Sequence, residues 1–156
     1  MNSWIRRRIV DPLLELLRQG MSPDRLALCI ALGVVIGNIP ILGVSTLLCA
    51  AIALAFRLNL PAIQIAQAAM APTQLLLMIP FLRMGEWLMS APRQALSIKA
   101  AAALMEQDLW RAADVLRDAM IHAGLAWMLV APFATLLFYG PLAVIFRRAA
   151  AMKARP

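Results

Sequence analysis

The sequence predicts an all-α integral membrane protein, and three observations lead to that fold class. The 156 residues are 63% hydrophobic and only 15% charged, with a mean hydropathy of +0.78, which lies outside the usual composition of soluble globular domains. The apolar stretches 26–56, 58–82 and 119–146 each reach the ~20 residues that cross a bilayer core. Prolines interrupt all three stretches, which predicts broken helices rather than plain spans.

We expect one membrane domain over 1–156, and its first 20 residues are predicted to form a basic amphipathic helix. Apolar residues at positions 5, 9, 13, 16 and 17 share one helical face, the pattern of a helix in the headgroup plane. No cleavable signal peptide is expected, because this stretch lacks a continuous apolar segment. The helix could recognise anionic lipid or could simply anchor the chain and fix its topology.

The positive charge of the chain is distributed as a topology signal. The net charge is +7, but the basic residues lie at both ends and at the edges of the apolar stretches. This arrangement predicts two cytoplasmic termini and no nucleic-acid partner. The residues assigned to topology and to contact with lipid headgroups are Arg6, Arg7, Arg8, Arg25, Arg57 and Arg83.

The region 22–90 is predicted to hold a paired core of broken helices. Ser22 is a suitable N-cap and Pro23 a suitable first residue of a helix, which should run to about Gly37. Such a helix measures ~21 Å, which is short of the ~30 Å hydrocarbon core. We therefore expect it to stop partway through the membrane.

Pro40 is predicted to begin a second half-helix that runs to about Phe56, so that the two half-helices form a re-entrant hairpin. A single span kinked at Pro40 is the alternative. Pro72 interrupts the next apolar stretch in the same way. The double-hairpin interpretation predicts that three arginines lie on the cytoplasmic side: Arg25, Arg57 and Arg83.

Two further elements are predicted in the second half of the chain. The stretch 94–122 combines an apolar stripe with an acidic and basic face, which predicts an interfacial helix. The stretch 123–148 is predicted to be a C-terminal membrane helix that is interrupted at Pro132 and at Gly140-Pro141.

The polar residues beside the breaks are the candidate substrate-binding residues. Half-helix N-termini present free N–H groups and a positive dipole end to an anion. The candidate ligands there are Asn38, Ser45, Thr46, Thr73 and Gln74, and the residues assigned to the breaks are Gly37, Pro40, Gly43 and Pro72. Cys29 and Cys49 are predicted to be small packing residues, because their spacing suits neither a zinc site nor a disulfide framework.

No catalytic machinery is predicted. His122 is the only histidine, and no nucleophile–base arrangement, carboxylate pair, metal cluster or phosphate loop can be assembled around it. We therefore expect no enzymatic activity, no metal and no cofactor.

The stretches GMSPDRLALCIALGVVIGNIPILGVSTLL and RLNLPAIQIAQAAMAPTQLLLMIPFLRMGEWL resemble the bacterial membrane family known as domain of unknown function 2062. The resemblance covers about 20–88, and Ala71 stands where the family has asparagine. It implies a bacterial inner-membrane location and little chemistry. The matching residues are Gly20, Ser22, Pro23, Ile36, Gly37, Pro40, Gly43, Arg57, Asn59, Pro72, Thr73 and Gly85.

Two functions fit these features. Opposed re-entrant helices could translocate an anionic amphiphile or a lipid-linked substrate. Alternatively, the breaks could let short helices pack in a non-catalytic accessory or scaffold subunit of a membrane enzyme or transporter. The expected partners are membrane lipids, anionic ones in particular, and a second copy or another membrane protein. The two functions differ in whether the polar residues line a wet cavity or are satisfied in a dry helix interface.

Overall fold

A computed structural model describes residues 21–41, 43–92 and 109–153. These residues form five α-helices and no strand, which confirms the all-α prediction. The predicted helix over 1–20, with Arg6, Arg7 and Arg8, lies outside the described residues, as does 94–108. The helices are α1 (Pro23–Gly37), α2 (Val44–Ala55), α3 (Leu60–Ala69), α4 (Ala71–Leu88) and α5 (Leu109–Lys153).

Helix α1 has the predicted bounds. The Ser22 side chain accepts a hydrogen bond from the backbone N–H of Arg25 at 3.4 Å, and Pro23 occupies the first turn. Both features start a helix because they satisfy or remove donors that have no intrahelical partner. Helix α1 packs against α2, α3 and α5, so this short helix is the buried centre of the molecule.

The two central helices α1 and α3 run parallel. A Cβ atom added at Gly33 would lie 2.5 Å from the Ile63 carbonyl oxygen, and one added at Gly37 would lie 2.9 Å from the Gln67 carbonyl oxygen. Because both positions advance together, α2 must carry the chain back between them. Helices α1 and α2 therefore form a helical hairpin, and Arg25 and the α2–α3 turn lie at the same end of it, while the re-entrant placement of this hairpin in a membrane stays a prediction.

Pro40 does not begin α2, contrary to the prediction. The connector 38–43 separates the two helices, and Pro40 lies buried within it. Helix α2 begins only at Val44, after Gly43, whose φ of 85° lies in the left-handed region. Glycine adopts this conformation without the steric cost of a side chain, so Gly43 rather than Pro40 turns the chain into α2.

The second break lies at Met70, next to Pro72, but it does not form a hairpin. Helices α3 and α4 are bent by 66°, whereas a hairpin reverses the direction of the chain. Helix α4 continues until Gly85 contacts the backbone of His122 in α5.

The end of α4 is therefore remote from the end that carries Arg25. In α5, Arg147 bonds Asp24 at the start of α1, and about 37 Å of helix separate His122 from Arg147. The prediction that Arg83 lies at the same end as Arg25 and Arg57 is wrong.

Helix α5 is one continuous helix of 45 residues with Pro132 and Pro141 inside it. The predicted helix boundary at 122–123 and the predicted interruptions of 123–148 are therefore wrong. Each proline removes one backbone donor but leaves the rest of the helical ladder intact. Charged residues are common before 122 and apolar residues after it, so the two parts of the helix have different surroundings. That change in composition is not a signal that ends a helix.

Among the described residues, Arg117–Ala151 is the one helix that is long and apolar enough to cross a membrane by itself, and α3 with α4 qualifies if the bent pair is counted as one span. The main core lies between α1, α2 and α3 and includes Cys29 and Cys49, both fully buried and free. The prediction that these cysteines are packing residues is confirmed. A second, small cluster joins α4 to α5 through Leu82, Ala119 and Ala123.

Candidate functional site

Three side-chain hydrogen bonds lie at the end of α1 and in the connector 38–43 that follows it. The last carbonyl groups of α1 have no partner inside the helix, as at every helix end. In this apolar setting each such group needs a donor from elsewhere in the protein. We use the name polar junction for the three side chains that donate to carbonyl groups at the end of α1 or in the connector: Asn38, Gln74 and Trp127.

Asn38 closes the end of α1 locally. Its Nδ2 donates to the Val34 carbonyl oxygen at 2.8 Å, and its backbone N–H donates to the Val35 carbonyl oxygen at 3.2 Å. The next residue, Ile39, donates its N–H to Ile36 at 3.1 Å. The chain thus leaves α1 through a tight final turn in which most carbonyl groups are satisfied.

Gln74 and Trp127 reach the same region from distant parts of the chain. Gln74, in α4, donates Nε2 to the Ile39 carbonyl oxygen at 2.7 Å. Trp127, in α5, donates Nε1 to the Val35 carbonyl oxygen at 3.0 Å. The first break is therefore held by donors from three elements of the fold, and α4 and α5 are tied to the end of α1.

A second group of polar residues lies between α2 and α3. Gln67 donates Nε2 to the Ser45 Oγ at 3.0 Å, and Gln64 donates Nε2 to the Thr46 carbonyl oxygen at 3.3 Å. Ser45 is buried, whereas Thr46 is exposed. We call these four residues the lateral seam.

The structure brings together only some of the predicted ligands. Asn38 and Gln74 meet at the connector, whereas Ser45 and Thr46 belong to the lateral seam. Thr73 is half-buried in the first turn of α4, and its side chain makes no hydrogen bond with the described part of the chain. Three of the five candidates, Asn38, Ser45 and Gln74, are buried and bonded within the protein.

Of the two predicted helix N-termini, the one at Pro40 does not form, whereas the one at Pro72 does, because α4 begins at Ala71 with Pro72 in its first turn. Pro40 precedes no helical turn, so no half-helix begins at that residue. At the second break Met70 ends α3 and begins α4, and the Gln74 N–H donates to the Met70 carbonyl oxygen at 2.8 Å. Because the two helices are separated by a single residue, Pro72 stands within an almost continuous backbone.

The glycines near the breaks have two different roles. A Cβ atom added at Gly43 would meet nothing within 4 Å, so this residue serves the backbone conformation rather than a close helix contact. The close contacts lie at Gly33 and Gly37, where α1 meets α3, and at Gly85, where α4 meets α5.

Sequence analysis missed a buried ion pair in α4. Glu86 is 2% exposed, and its Oε2 lies 2.8 Å from Arg83 Nη1, so Arg83 is an ion-pair partner as well as a surface cation. A signal was present: an acid three residues after an arginine, in a largely apolar segment, indicates a buried pair. Nearby in α5, the Nδ1 of His122 is buried without a hydrogen bond among the described residues.

The polar junction contains amide and indole groups, which supply hydrogen bonds but no proton transfer near neutral pH. Within the described ranges, no three histidine, cysteine or acidic side chains come together as a metal site.

Comparisons with curated proteins and with solved structures find no match. A match to a protein family does exist, and it extends over residues 6–155. It includes the whole of α1 to α5 and reaches well beyond the stretch 20–88 that carried the resemblance. The chain therefore belongs to DUF2062, a family of uncharacterized proteins conserved in bacteria.

Proposed function

We propose that this chain is a non-catalytic integral protein of the bacterial inner membrane and serves as a scaffold or accessory subunit of a membrane complex. One observation carries the proposal: the side-chain N–H donors that reach the first break from other helices bond the protein's own backbone. Gln74, 9% exposed, bonds the Ile39 carbonyl oxygen, and Trp127 bonds that of Val35. Such a junction locks helices together, as an assembly platform requires.

The membrane location is supported by the surface of α5. Its outward face carries large apolar side chains over several turns, and such a face is stable in lipid but not in water. Helix α1 has only 15 residues, ~22 Å of length, and lies inside the bundle. Among the side chains of α5 whose burial is described, the most exposed apolar ones are Met128, Phe133, Leu136 and Leu137.

The cytoplasmic side is inferred from one end of the bundle. Arg147 Nε lies 2.7 Å from Asp24 Oδ1, which joins the end of α5 to the start of α1. Arg25, Arg57 and Arg148 are exposed near this end. Cytoplasmic segments are enriched in arginine and lysine, and these cations attract anionic headgroups. We therefore assign both termini to the cytoplasm and anionic lipids to this end.

Translocation of an amphiphile or a lipid-linked substrate is the second candidate function, and one observation favours it. The Oδ1 of Asn38 is buried beside the break and has no hydrogen-bond partner among the described residues. This atom is an acceptor, so it would bind a hydroxyl or another donor of a substrate and would repel a bare anionic oxygen. An anionic amphiphile would therefore have to bind through its donor groups.

A comparison of two variants separates these functions. In the scaffold, Gln74→Leu loosens the junction and reduces copurification of membrane partners. Thr73→Ala leaves the phenotype of a deletion strain fully complemented, because the Thr73 side chain makes no hydrogen bond with the described part of the chain. In a translocator that uses Thr73 as a ligand, Thr73→Ala impairs complementation more than Gln74→Leu does. Expression level and detergent-stable assembly, measured for every variant in one host, control for folding. Full assembly with Gln74→Leu and failed complementation by Thr73→Ala would reject the scaffold.

Topology is tested by labelling single cysteines from outside the cell. The unaltered chain is the control, because Cys29 and Cys49 are both 0% exposed. We expect Met89→Cys, at the end of α4, to react with an impermeant thiol reagent that has reached the periplasm. We expect Arg148→Cys to react only after the inner membrane is permeabilised. Reaction of both from the same side would contradict the proposed orientation.

A further inference from the structure

Helix α2 ends in a left-handed turn whose central residue is an arginine. Arg57 has a φ of 51°, in a region where a side chain is strained and glycine is the usual residue after a helix. The turn is closed by the Leu58 N–H, which donates to the Ala53 carbonyl oxygen at 2.8 Å. Ser90, after α4, has the same φ and the same hydrogen-bond pattern. Strained positions are enriched at functional sites, and Arg57 also carries a charge.

Arg25 lies beside the turn that contains Arg57. The backbone of Asn59, two residues after Arg57, is in hydrogen-bonding contact with the Cys29 thiol group in α1. Arg25 precedes Cys29 by four residues, so it lies on the same face of α1, about 5 Å nearer the end of the bundle. Leu58 packs against the core cluster that includes Cys29. Arg25 and Arg57 are therefore neighbours, and both are exposed.

No acidic side chain neutralises these two arginines within the described ranges. The acid at this end is Asp24, and its Oδ1 is bonded to Arg147 Nε at 2.7 Å. Neither Arg25 nor Arg57 makes an ion pair with the described part of the chain. Two neighbouring guanidinium groups without an acid attract an anion, and their N–H donors match the oxygen atoms of a phosphate group.

The apolar surroundings of Arg57 indicate that the anion belongs to a lipid. This step rests on the membrane placement proposed above, with this end of the bundle at the cytoplasmic headgroups. Phe56 is 69% exposed, and Leu54 and Leu60, on either side of the turn, are 79% and 38% exposed. A soluble anion leaves these side chains in water, whereas a phospholipid covers them with acyl chains while its phosphate group contacts the arginines.

We propose that Arg25 and Arg57 bind the phosphate group of an anionic phospholipid in the cytoplasmic leaflet, whose acyl chains cover Phe56. The left-handed turn places Arg57 beside Arg25 at the point where α2 passes into α3. A zwitterionic headgroup carries an ammonium group that two cations repel, so the site favours a headgroup with a net negative charge.

Native mass spectrometry of the full chain in detergent tests this site, with phosphatidylglycerol and phosphatidylcholine added in turn. We expect the unaltered chain to retain phosphatidylglycerol in preference. Arg57→Gln should lower the affinity for phosphatidylglycerol about fivefold, the contribution of one cation near an anionic headgroup. Arg148→Gln, a charge change at the same end of the bundle but on α5, is the matched control and should lower that affinity less. Equal losses in the two variants would show diffuse attraction and overturn the site.

Glycine at position 57 separates the charge of the residue from its backbone conformation. Arg57→Gly relieves the left-handed strain, so the melting temperature in detergent should stay within about 3 °C of the unaltered value. The affinity for phosphatidylglycerol should nevertheless fall as it does for Arg57→Gln. Ser90→Gly makes the same backbone change after α4 and should leave the lipid affinity unaltered. Unaltered phosphatidylglycerol binding by Arg57→Gly, or an equal affinity of the chain for inorganic phosphate, overturns the proposal.

Extraction with alkaline carbonate separates failure of this site from failure of the proposed membrane placement. If the chain stays in membranes and Arg57→Gln binds phosphatidylglycerol as the unaltered chain does, the site is rejected and the membrane placement stands. Release of the chain by carbonate rejects the membrane placement and the lipid site together.

Discussion

The two breaks in the helical core are stabilised in different ways. The first, over 38–43, interrupts the backbone for several residues and is closed by side chains from α4 and α5. The second is a single residue, Met70, whose N–H donates to Gln67 at 3.0 Å and whose carbonyl accepts from Gln74 at 2.8 Å. The first break therefore depends on tertiary structure, and the second is mostly satisfied by its own backbone.

The comparison shows how a break in a helix is stabilised inside an apolar core. Unpaired carbonyl groups in an apolar core have no water to bond, so a wide break requires donors that other helices supply. A narrow break changes direction with few unpaired groups, and here it gives a bend of 66°. Gln74 connects the two breaks, because its N–H closes the second while its side chain closes the first.

The largest expected effect comes from Gly33→Ala, which disturbs both breaks through the α1–α3 contact. The new Cβ atom would lie 2.5 Å from the Ile63 carbonyl oxygen and 2.6 Å from the Ala66 Cβ. A backbone oxygen cannot rotate away, so the two helices must separate. We expect the free energy of unfolding in detergent to fall by about 3 kcal/mol, near the upper end for overpacking.

Gly124→Ala is the matched control for this prediction. It is the same change in α5, where the new Cβ would lie an ordinary 3.5 Å from Ile41 Cδ1. We expect it to raise the free energy of unfolding by up to ~1 kcal/mol, because alanine favours the helix. Equal effects of the two substitutions would show that the α1–α3 contact is not tight.

Local signals allowed the sequence to predict α1 and the first break. Ser22, Pro23 and Gly37 act on their own neighbours, and their effect can be read from a few adjacent residues. The partners of that break could not be predicted, because Gln74 bonds a carbonyl group 35 positions away and Trp127 one 92 positions away. Amide and indole donors have no spacing rule that would assign such distant acceptors.

The effects of the prolines were predicted less well, because the same residue acts differently in different surroundings. Pro40, Pro72, Pro132 and Pro141 look equivalent in sequence, yet Pro40 lies in a connector, Pro72 begins a helix and the last two lie inside α5. A proline removes the same donor in each case. Whether the helix ends there depends on whether neighbouring residues also leave the helical conformation, as Gly43 does with its left-handed backbone.

A smaller effect is expected from Gln74→Leu, which tests whether the first break depends on a distant donor. Leucine leaves the Ile39 carbonyl oxygen without the 2.7 Å hydrogen bond from Nε2. A buried acceptor that loses its partner costs about 1–3 kcal/mol, and we expect about 2 kcal/mol in the same unfolding measurement. Thr73→Ala, at the neighbouring position, should change the free energy by less than ~0.5 kcal/mol. A neutral Gln74→Leu would mean that the first break does not need α4.

The smallest effect is expected from Pro72→Ala, which tests whether the backbone hydrogen bonds of Met70 are enough to stabilise the second break. Pro72 is exposed in the first turn of α4, where a backbone N–H has no intrahelical partner in any case. The two backbone hydrogen bonds of Met70 do not involve Pro72, so they should survive. We expect a change below ~0.5 kcal/mol in the free energy of unfolding. A spin-label distance between α3 and α4 should also report the same bend as in the unaltered chain. If Pro72→Ala straightens the pair, the proline itself imposes the bend, and the second break would depend on that residue as the first depends on Gln74.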